Sequence, residues 1–263
     1  MRLSERLGHD RAIVRALRPL HTRWLRTRYT HRGMPWEVNG ERLRIDPDSR
    51  HLVPRRSEVP LFEFLRDGIR PGAVVLDIGS FLGVYAMLAA RWAGPSGAVI
   101  AFEPSAASYA TLTRHLRMNG LEARVDARHA AVGARSGRTH LVVFDDEPYR
   151  NMVAPVDPGA ATVEVDVVTV DQMCATMERR PTWIRMDVQG LEFDVLRGAH
   201  DLLRDARGRL TIVAEMHPEQ WVPLGIRVAD VDGILADMGL RAHCLPGQHD
   251  RYEQSSHAIL VPL

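Results

Sequence analysis

Along the 263 residues the spacing of apolar positions changes character several times. Leu3, Leu7, Val14, Leu17 and Trp24 recur at helical spacing between arginines, which predicts an amphipathic helix that Pro19 should kink or divide. The pattern then alternates: Trp36 and Val38, the pair Asn39-Gly40, then Leu43 and Ile45. Alternation around Asn-Gly predicts a hairpin closed by a two-residue turn. Residues 59–67 return to a helical pattern, and Arg70-Pro71-Gly72 stops it. From Ala73 onward short apolar runs alternate with helical segments, without internal repeats or low-complexity stretches. The expected organisation is a helix-and-hairpin extension over residues 1–57 and an α/β body over 58–263, built on a mostly parallel sheet.

Composition narrows the chemistry. All 34 basic side chains are Arg and none is Lys. Schiff-base catalysis on a lysine amine is therefore excluded, as is a phosphate loop of the G-x-x-x-x-G-K-[ST] type. The net charge of +1 conceals a split. Residues 1–56 hold 14 Arg against 6 acidic residues, and the remainder holds 20 Arg against 27. A basic arm on an acidic body suits a membrane surface, nucleic acid or an acidic carrier protein. It equally suits an amphipathic helix packing on its own domain or on a second copy in a homodimer, and this reading is preferred because no nucleic-acid motif or aromatic interleaving accompanies the arginines. No apolar run is long enough to span a bilayer, and the N-terminal stretch lacks the apolar core of a secretory signal. Cys174 and Cys244 lack metal-ligand spacing, and two cysteines make no disulfide framework. A cytoplasmic location is the default expectation.

The most informative stretch runs from Ala73 to Ala90. A continuous apolar run, read as a buried parallel strand, ends at Asp77, turns through Gly79 and Gly83, and enters a helix. Strand, glycine turn and helix form a ligand crevice at the strand ends of an open α/β sheet. The spacing Asp-x-Gly-x-x-x-Gly departs from the dinucleotide fingerprint G-x-G-x-x-G. A carboxylate two residues before the first glycine disfavours a pyrophosphate and suits a cationic amino-acid group such as that of S-adenosylmethionine. A second strand, Ala98 to Phe102, ends in Glu103-Pro104, and Glu103 lies 20 residues after Gly83. A carboxylate there can accept both hydroxyls of a ribose.

These residues resemble the FkbM family of methyltransferases. The likeness is carried by Asp77-Ile-Gly79-Ser80-Phe81-Leu-Gly83, Phe102-Glu103-Pro104, Met118-Asn119-Gly120 and Ala130-Ala131-Val132-Gly133. It continues through Arg185-Met-Asp187-Val-Gln189-Gly190-Leu-Glu192, Leu196-Arg-Gly198-Ala199 and Glu215-Met-His217. The resemblance implies a Rossmann-like seven-stranded sheet with helices on both faces and an antiparallel last strand. It also implies S-adenosylmethionine as cofactor, held by Asp77, Gly79, Ser80, Gly83, Glu103, Ala131 and Asp187. Four positions depart from the family pattern. Ser80 and Phe81 stand where a small residue and Asn are common, Arg185 replaces the usual Lys, and Gln189 replaces the usual Glu.

Methyl transfer needs the acceptor held in line and, for an alcohol, its proton removed. Asp187 and His217 are the candidate catalytic pair, at the ends of strands that the resemblance makes neighbours. His217 is the better base by its ordinary pKa near 6.5. Glu215 is a candidate acceptor contact and a possible partner of Arg185. Glu192 suits the N-terminal dipole of the helix it begins at least as well as a catalytic role. Metal is not required; if one binds, Asp187, Glu215 and His217 are its expected ligands. Ala130, Ala131 and Val132 suggest an adenine slot, with Asp126 either meeting the exocyclic amine or pointing outward. Residues 145–159, with Tyr149 and Arg150 as acceptor contacts, suggest a lid or an unstructured surface loop. The expected reaction is O-methylation of a sugar or secondary-metabolite hydroxyl on a small-molecule or carrier-bound acceptor. N- or carboxyl-methylation, an NAD(P)-dependent oxidoreductase and a non-catalytic binding protein stay open as alternatives.

Overall fold

The computed structural model describes residues 11–144, 152–153, 161–206 and 208–263, arranged as two compact units, residues 1–56 and 57–263. Tyr149 and Arg150, with most of the 145–159 loop, lie outside the described residues, as do Leu3 and Leu7.

In the first unit helix α1 (Arg11–Tyr29) precedes strands β1 (Met34–Val38) and β2 (Glu41–Ile45). Of the kink or division expected at Pro19, division does not occur: the helix runs through it. A single missing N–H forfeits one backbone bond, and the turns on either side keep theirs. The hairpin closes as read: Asn39 and Gly40 both have positive φ, 48° and 92°, as a two-residue I′ turn demands. Trp36 donates its indole N–H to the Val53 carbonyl, and Arg55 lies over its ring. Trp24 is exposed rather than buried in an apolar stripe, with His21 and Tyr29 against its ring. Among the described residues no helix is long and apolar enough to cross a membrane.

The second unit alternates in chain order as α2 (Val59–Gly68), β3 (Val74–Ile78), α3 (Val84–Trp92), β4 (Ala98–Phe102), α4 (Ala106–Asn119) and β5 (Val125–Arg128). Strands β6 (Ala131–Val132), β7 (Gly137–Val142), β8 (Met152–Val153) and β9 (Thr162–Val168) follow. Then come α5 (Val170–Cys174), β10 (Trp183–Met186), α6 (Glu192–Arg197), α7 (His200–Ala206) and β11 (Thr211–Met216). The unit finishes with α8 (Pro218–Trp221), α9 (Val231–Asp237), β12 (Leu240–Cys244) and β13 (Ser256–Pro262).

Seven strands form one sheet in the order β12-β13-β11-β10-β3-β4-β5. Neighbours pair in parallel from β5 to β11, and β13 runs antiparallel between β11 and β12. This is the Rossmann-like α/β sheet with an antiparallel last strand. Its strands read as continuous apolar runs because both faces are covered: all five residues of β3 are buried, Asp77 included. The strand order reverses between β3 and β10, so the chain leaves these neighbours in opposite directions and opens a crevice at their carboxyl ends. A smaller sheet, β6-β9-β7-β8, has its own core of Ala131, Leu141 and Val165.

Two glycines of the sequence motifs meet at the join between α6 and the smaller sheet. A side chain on Gly198 would bring its Cβ to 2.1 Å from the Gly133 carbonyl oxygen, and the Gly198 carbonyl accepts from Asp171 N–H. Backbone against backbone leaves nothing free to move aside. Gly198→Ala is therefore expected to destabilise the protein by about 2–4 kcal/mol, read as a fall in Tm of at least about 5 °C by calorimetry. An unchanged Tm would show that the helix can retreat without cost.

Candidate functional site

The glycine loop after β3 is shaped by what it must pass. Gly79 and Ser80 both donate N–H bonds to the Phe102 carbonyl, and Ser80 Oγ donates to the Asp77 carbonyl. Gly79 has φ 77°, and a Cβ on it would sit 1.9 Å from the Asp187 carbonyl oxygen. The ends of β3 and β10 therefore approach as closely as their backbones allow. Phe81 also has positive φ, 50°, where a non-glycine residue is strained and Asn is better tolerated. Its N–H donates to Glu103 Oε2 at 2.8 Å, which holds the strained turn in place.

Glu103 is buried at the end of β4, with Oε1 accepting from Ser105 N–H at 2.8 Å. Burial pushes its carboxyl up to about 8, against these two backbone donors and with the charges of Asp187 and Asp77 adding to the rise.

Between the strand ends lies a charged cluster. Arg185 is the register partner of Asp77 across β10 and β3. Its Nη1 donates to Asp77 Oδ1 at 3.3 Å and to the Gly79 carbonyl at 3.0 Å, and its Nη2 donates to Asp187 Oδ2 at 3.2 Å. The expected pairing of Arg185 with Glu215 is replaced by these bonds. Burial and the Glu215 carboxylate push Asp187 up from the ordinary carboxylate range. Asp77 Oδ2 is buried and without a hydrogen-bond partner.

On the far side of Asp187, Glu192 is fully buried and takes three donors. Gly190 N–H and His217 Nδ1 meet its Oε1 at 3.0 and 2.8 Å, and the Trp221 indole N–H meets Oε2 at 2.7 Å. The dipole reading of Glu192 therefore misses its main contact: it orients His217. His217 Nε2 faces Asp187 Oδ1 at 3.7 Å and Glu215 Oε1 at 3.6 Å. The Gln189 side-chain nitrogen donates to Asp187 Oδ1 at 2.9 Å and stands 3.0 Å from His217 Nε2, which accepts from it when that nitrogen carries no proton. The ordinary imidazole pKa does not hold here. Burial pulls His217 down, but Glu192, Glu215 and Asp187 outweigh it and push the ring up to about 10.

Three further residues join this cluster. Tyr85 lies with its ring under the Arg185 guanidinium and donates its hydroxyl to Glu58 Oε2 at 3.0 Å. His257 on β13 is the cross-strand partner of Glu215. Tyr85 follows the glycine loop by two residues, whereas neither Glu58 nor His257 has a motif around it, and only register and packing bring those two in.

The sheet thus gathers Asp77, Gly79, Ser80, Glu103, Asp187, Glu215 and His217 around one switch point. Gly83 closes the loop as the N-terminal cap of α3, with φ 79°. Ala131 stands apart, its side chain packed with Leu141 and Val165. Asp126 is engaged by the Arg128 guanidinium and lines a cavity of about 370 Å³ whose other walls include Val74, Ala98 and Arg179.

A family model described as the methyltransferase FkbM domain matches residues 77–241. The chain is 22% identical over 209 residues to Methyltransferase sdnD of Sordaria araneosa, covering 66% of this chain and 78% of that one. It is 24% identical over 147 residues to Methyltransferase 1 of Beauveria bassiana, covering 48% and 58%. Among solved structures, Methyltransferase FkbM from Methylobacillus flagellatus KT is 15% identical with a TM-score of 0.46, over 77% of this chain and 50% of that one. The O-methyltransferase from Bacillus cereus in complex with SAH is also 15% identical with a TM-score of 0.46, over 79% and 82%.

Glu103 carries a pH signature. Its folded pKa lies above the ordinary 4.5, so between about pH 5 and about pH 8 the native state holds a proton that the unfolded chain has lost. That contribution to stability is present below this window and fades as pH rises through it. Wild type is expected to lose stability relative to Glu103→Gln by about 1 kcal/mol or more across the window, measured by urea unfolding without ligand. A constant difference at every pH would contradict the assignment.

Proposed function

The chain belongs to the FkbM methyltransferase family and takes its methyl group from S-adenosylmethionine; on that premise we propose that it methylates a hydroxyl of a sugar or secondary metabolite, free or carrier-bound. The observation that carries the reading is the Glu192–His217 pair, a buried carboxylate that fixes an imidazole with Nε2 facing the carboxylates at the switch point.

The donor set fits the cofactor. Asp77 Oδ2 is a buried acceptor awaiting a donor, as an ammonium group would supply. Glu103, at the end of the neighbouring strand, suits ribose hydroxyls, and Gly79, Ser80 and Gly83 shape the loop that lets a ligand reach the backbone. When bound, S-adenosylmethionine supplies an activated methyl carbon with its own leaving group.

The residues of the chain have the remaining work. Arg185 keeps Asp77 and Asp187 in place and cannot itself act as a base. Asp187 and Glu215 orient the acceptor oxygen. His217 receives the hydroxyl proton at Nε2 while Glu192 holds Nδ1. Glu192, Glu215 and Asp187 hold the ring near 10, so His217 acts as a base only in the fraction that carries no proton at Nε2. The basic N-terminal segment serves self-association in this reading.

Three measurements test it. Titration calorimetry is expected to show binding of S-adenosylhomocysteine and none of NAD; the reverse would sink the reading. With isotopically methyl-labelled cofactor and a panel of acceptors, the label should appear as an ether methyl by NMR. A methylamine or methyl ester product would instead identify the N- or carboxyl-directed alternative. His217→Ala is expected to lower kcat by about a hundredfold or more with S-adenosylhomocysteine affinity within a few-fold of wild type. Full activity in His217→Ala combined with Asp187→Asn would remove the catalytic pair.

A further inference from the structure

The side chains beyond the catalytic pair form a second constellation. We propose that Glu58, Glu215 and His257 bind a divalent transition-metal cation beside the methyl-transfer cluster. Their ligand atoms all lie within 4.8 Å of one another. His257 is only 4% exposed, and its Nε2 is buried without a hydrogen-bond partner. That nitrogen stands 3.2 Å from Glu58 Oε1 and 3.8 Å from Glu215 Oε2. Donors held about 2.1 Å from one cation stand about 3.0 Å apart at right angles and about 3.4 Å apart at tetrahedral corners, so the two separations from His257 need only small adjustments.

The surroundings are arranged as a metal site would need. Glu215 and His257 face each other across the antiparallel pair β11–β13, which puts both side chains on one face of the sheet. Glu58 reaches them from the residue before α2, in a left-handed conformation with φ 43° that a glutamate adopts only under constraint. The second oxygen of its carboxylate is already oriented by the Tyr85 hydroxyl, as outer-shell partners orient metal ligands. Negative charge is in excess: Asp77, Asp187, Glu192, Glu215 and Glu58 surround one permanent cation, Arg185.

The trio expected from the sequence, Asp187, Glu215 and His217, also lies within ligand distance. Its atoms are committed elsewhere, however. Asp187 accepts from Arg185 and Gln189, and His217 is held between Glu192 and Gln189. Among the described clusters only the Glu58 trio offers an imidazole nitrogen whose polar neighbours are the two candidate carboxylates alone. One imidazole with two carboxylates suits Mn²⁺ or Zn²⁺ better than Mg²⁺, which prefers oxygen donors. Three protein donors leave positions for two adjacent acceptor oxygens. The substrate class is then a vicinal diol or a hydroxyl beside a carbonyl, a step that rests on the methyltransferase reading above.

The test uses the full chain, stripped of metal with a chelator and titrated with Mn²⁺ under electron paramagnetic resonance, with Zn²⁺ and Mg²⁺ titrated by calorimetry. One equivalent of Mn²⁺ is expected to bind, with Mg²⁺ weaker. His257→Gln and Glu58→Gln should each weaken Mn²⁺ binding about tenfold or more, leaving Tm and S-adenosylhomocysteine binding near wild type. Glu58 is the less buried of the two, so Glu58→Gln decides the matter if His257→Gln does not fold. Absence of stoichiometric Mn²⁺ and Zn²⁺ binding would overturn the proposal. So would Mn²⁺ binding that Asp187→Asn abolishes and Glu58→Gln leaves intact. Loss of the function reading has a different signature, failure of S-adenosylhomocysteine to bind while Mn²⁺ still does.

Discussion

Arg185 reaches from β10 to three acceptors on the chain around it: the Asp77 carboxylate, the Gly79 carbonyl and the Asp187 carboxylate. Each is a group that burial alone would leave costly, and one delocalised charge serves all three. A guanidinium does this because two separate nitrogens point at different partners, whereas an ammonium would concentrate its charge at one point. In a chain without lysine this is also the only permanent cation that could stand there. The loop that must bend past Asp187, the acid of the loop and the acid of the neighbouring strand are thereby tied into one piece before any ligand arrives.

The remaining carboxylates act on their neighbours at short range. They raise His217, and together with burial they raise Glu103, so the two groups respond to the same surplus of negative charge from opposite ends of the crevice. Gln189 stands where the resembling family commonly has Glu, and its amide donates to Asp187 instead of adding another charge. The substitution fits a cluster already crowded with acids.

How much of this could be read from the sequence depended on distance along the chain. Asp77, Gly79, Gly83 and Glu103 were legible because strand, turn and helix follow within a few residues and the backbone itself makes the site. Asp187 and His217 were legible as strand ends, yet the His217 pKa was not, since its partner Glu192 is set by burial depth rather than spacing. Glu192 resembled an ordinary helix-start acid, and only its three donors reveal otherwise. Ala131 sits in a motif and its side chain packs into the smaller sheet, while Ala130 and Val132 on either side of it belong to the main core. Glu58 and His257 lie at opposite ends of the second unit, and no periodicity announces that they meet.

The placement of β13 has a consequence for assembly. It follows β12 in the chain but inserts between β11 and β12, so those two strands cannot pair in advance without blocking its slot. During synthesis from the N-terminus, β3, β4, β5 and β10 emerge first and can pair with one another around the glycine loop. The β11 edge must wait, unpaired, for the last strand to arrive. Glu215 meets His257 only in that final act, so the proposed cation site is complete only once β13 has taken its slot.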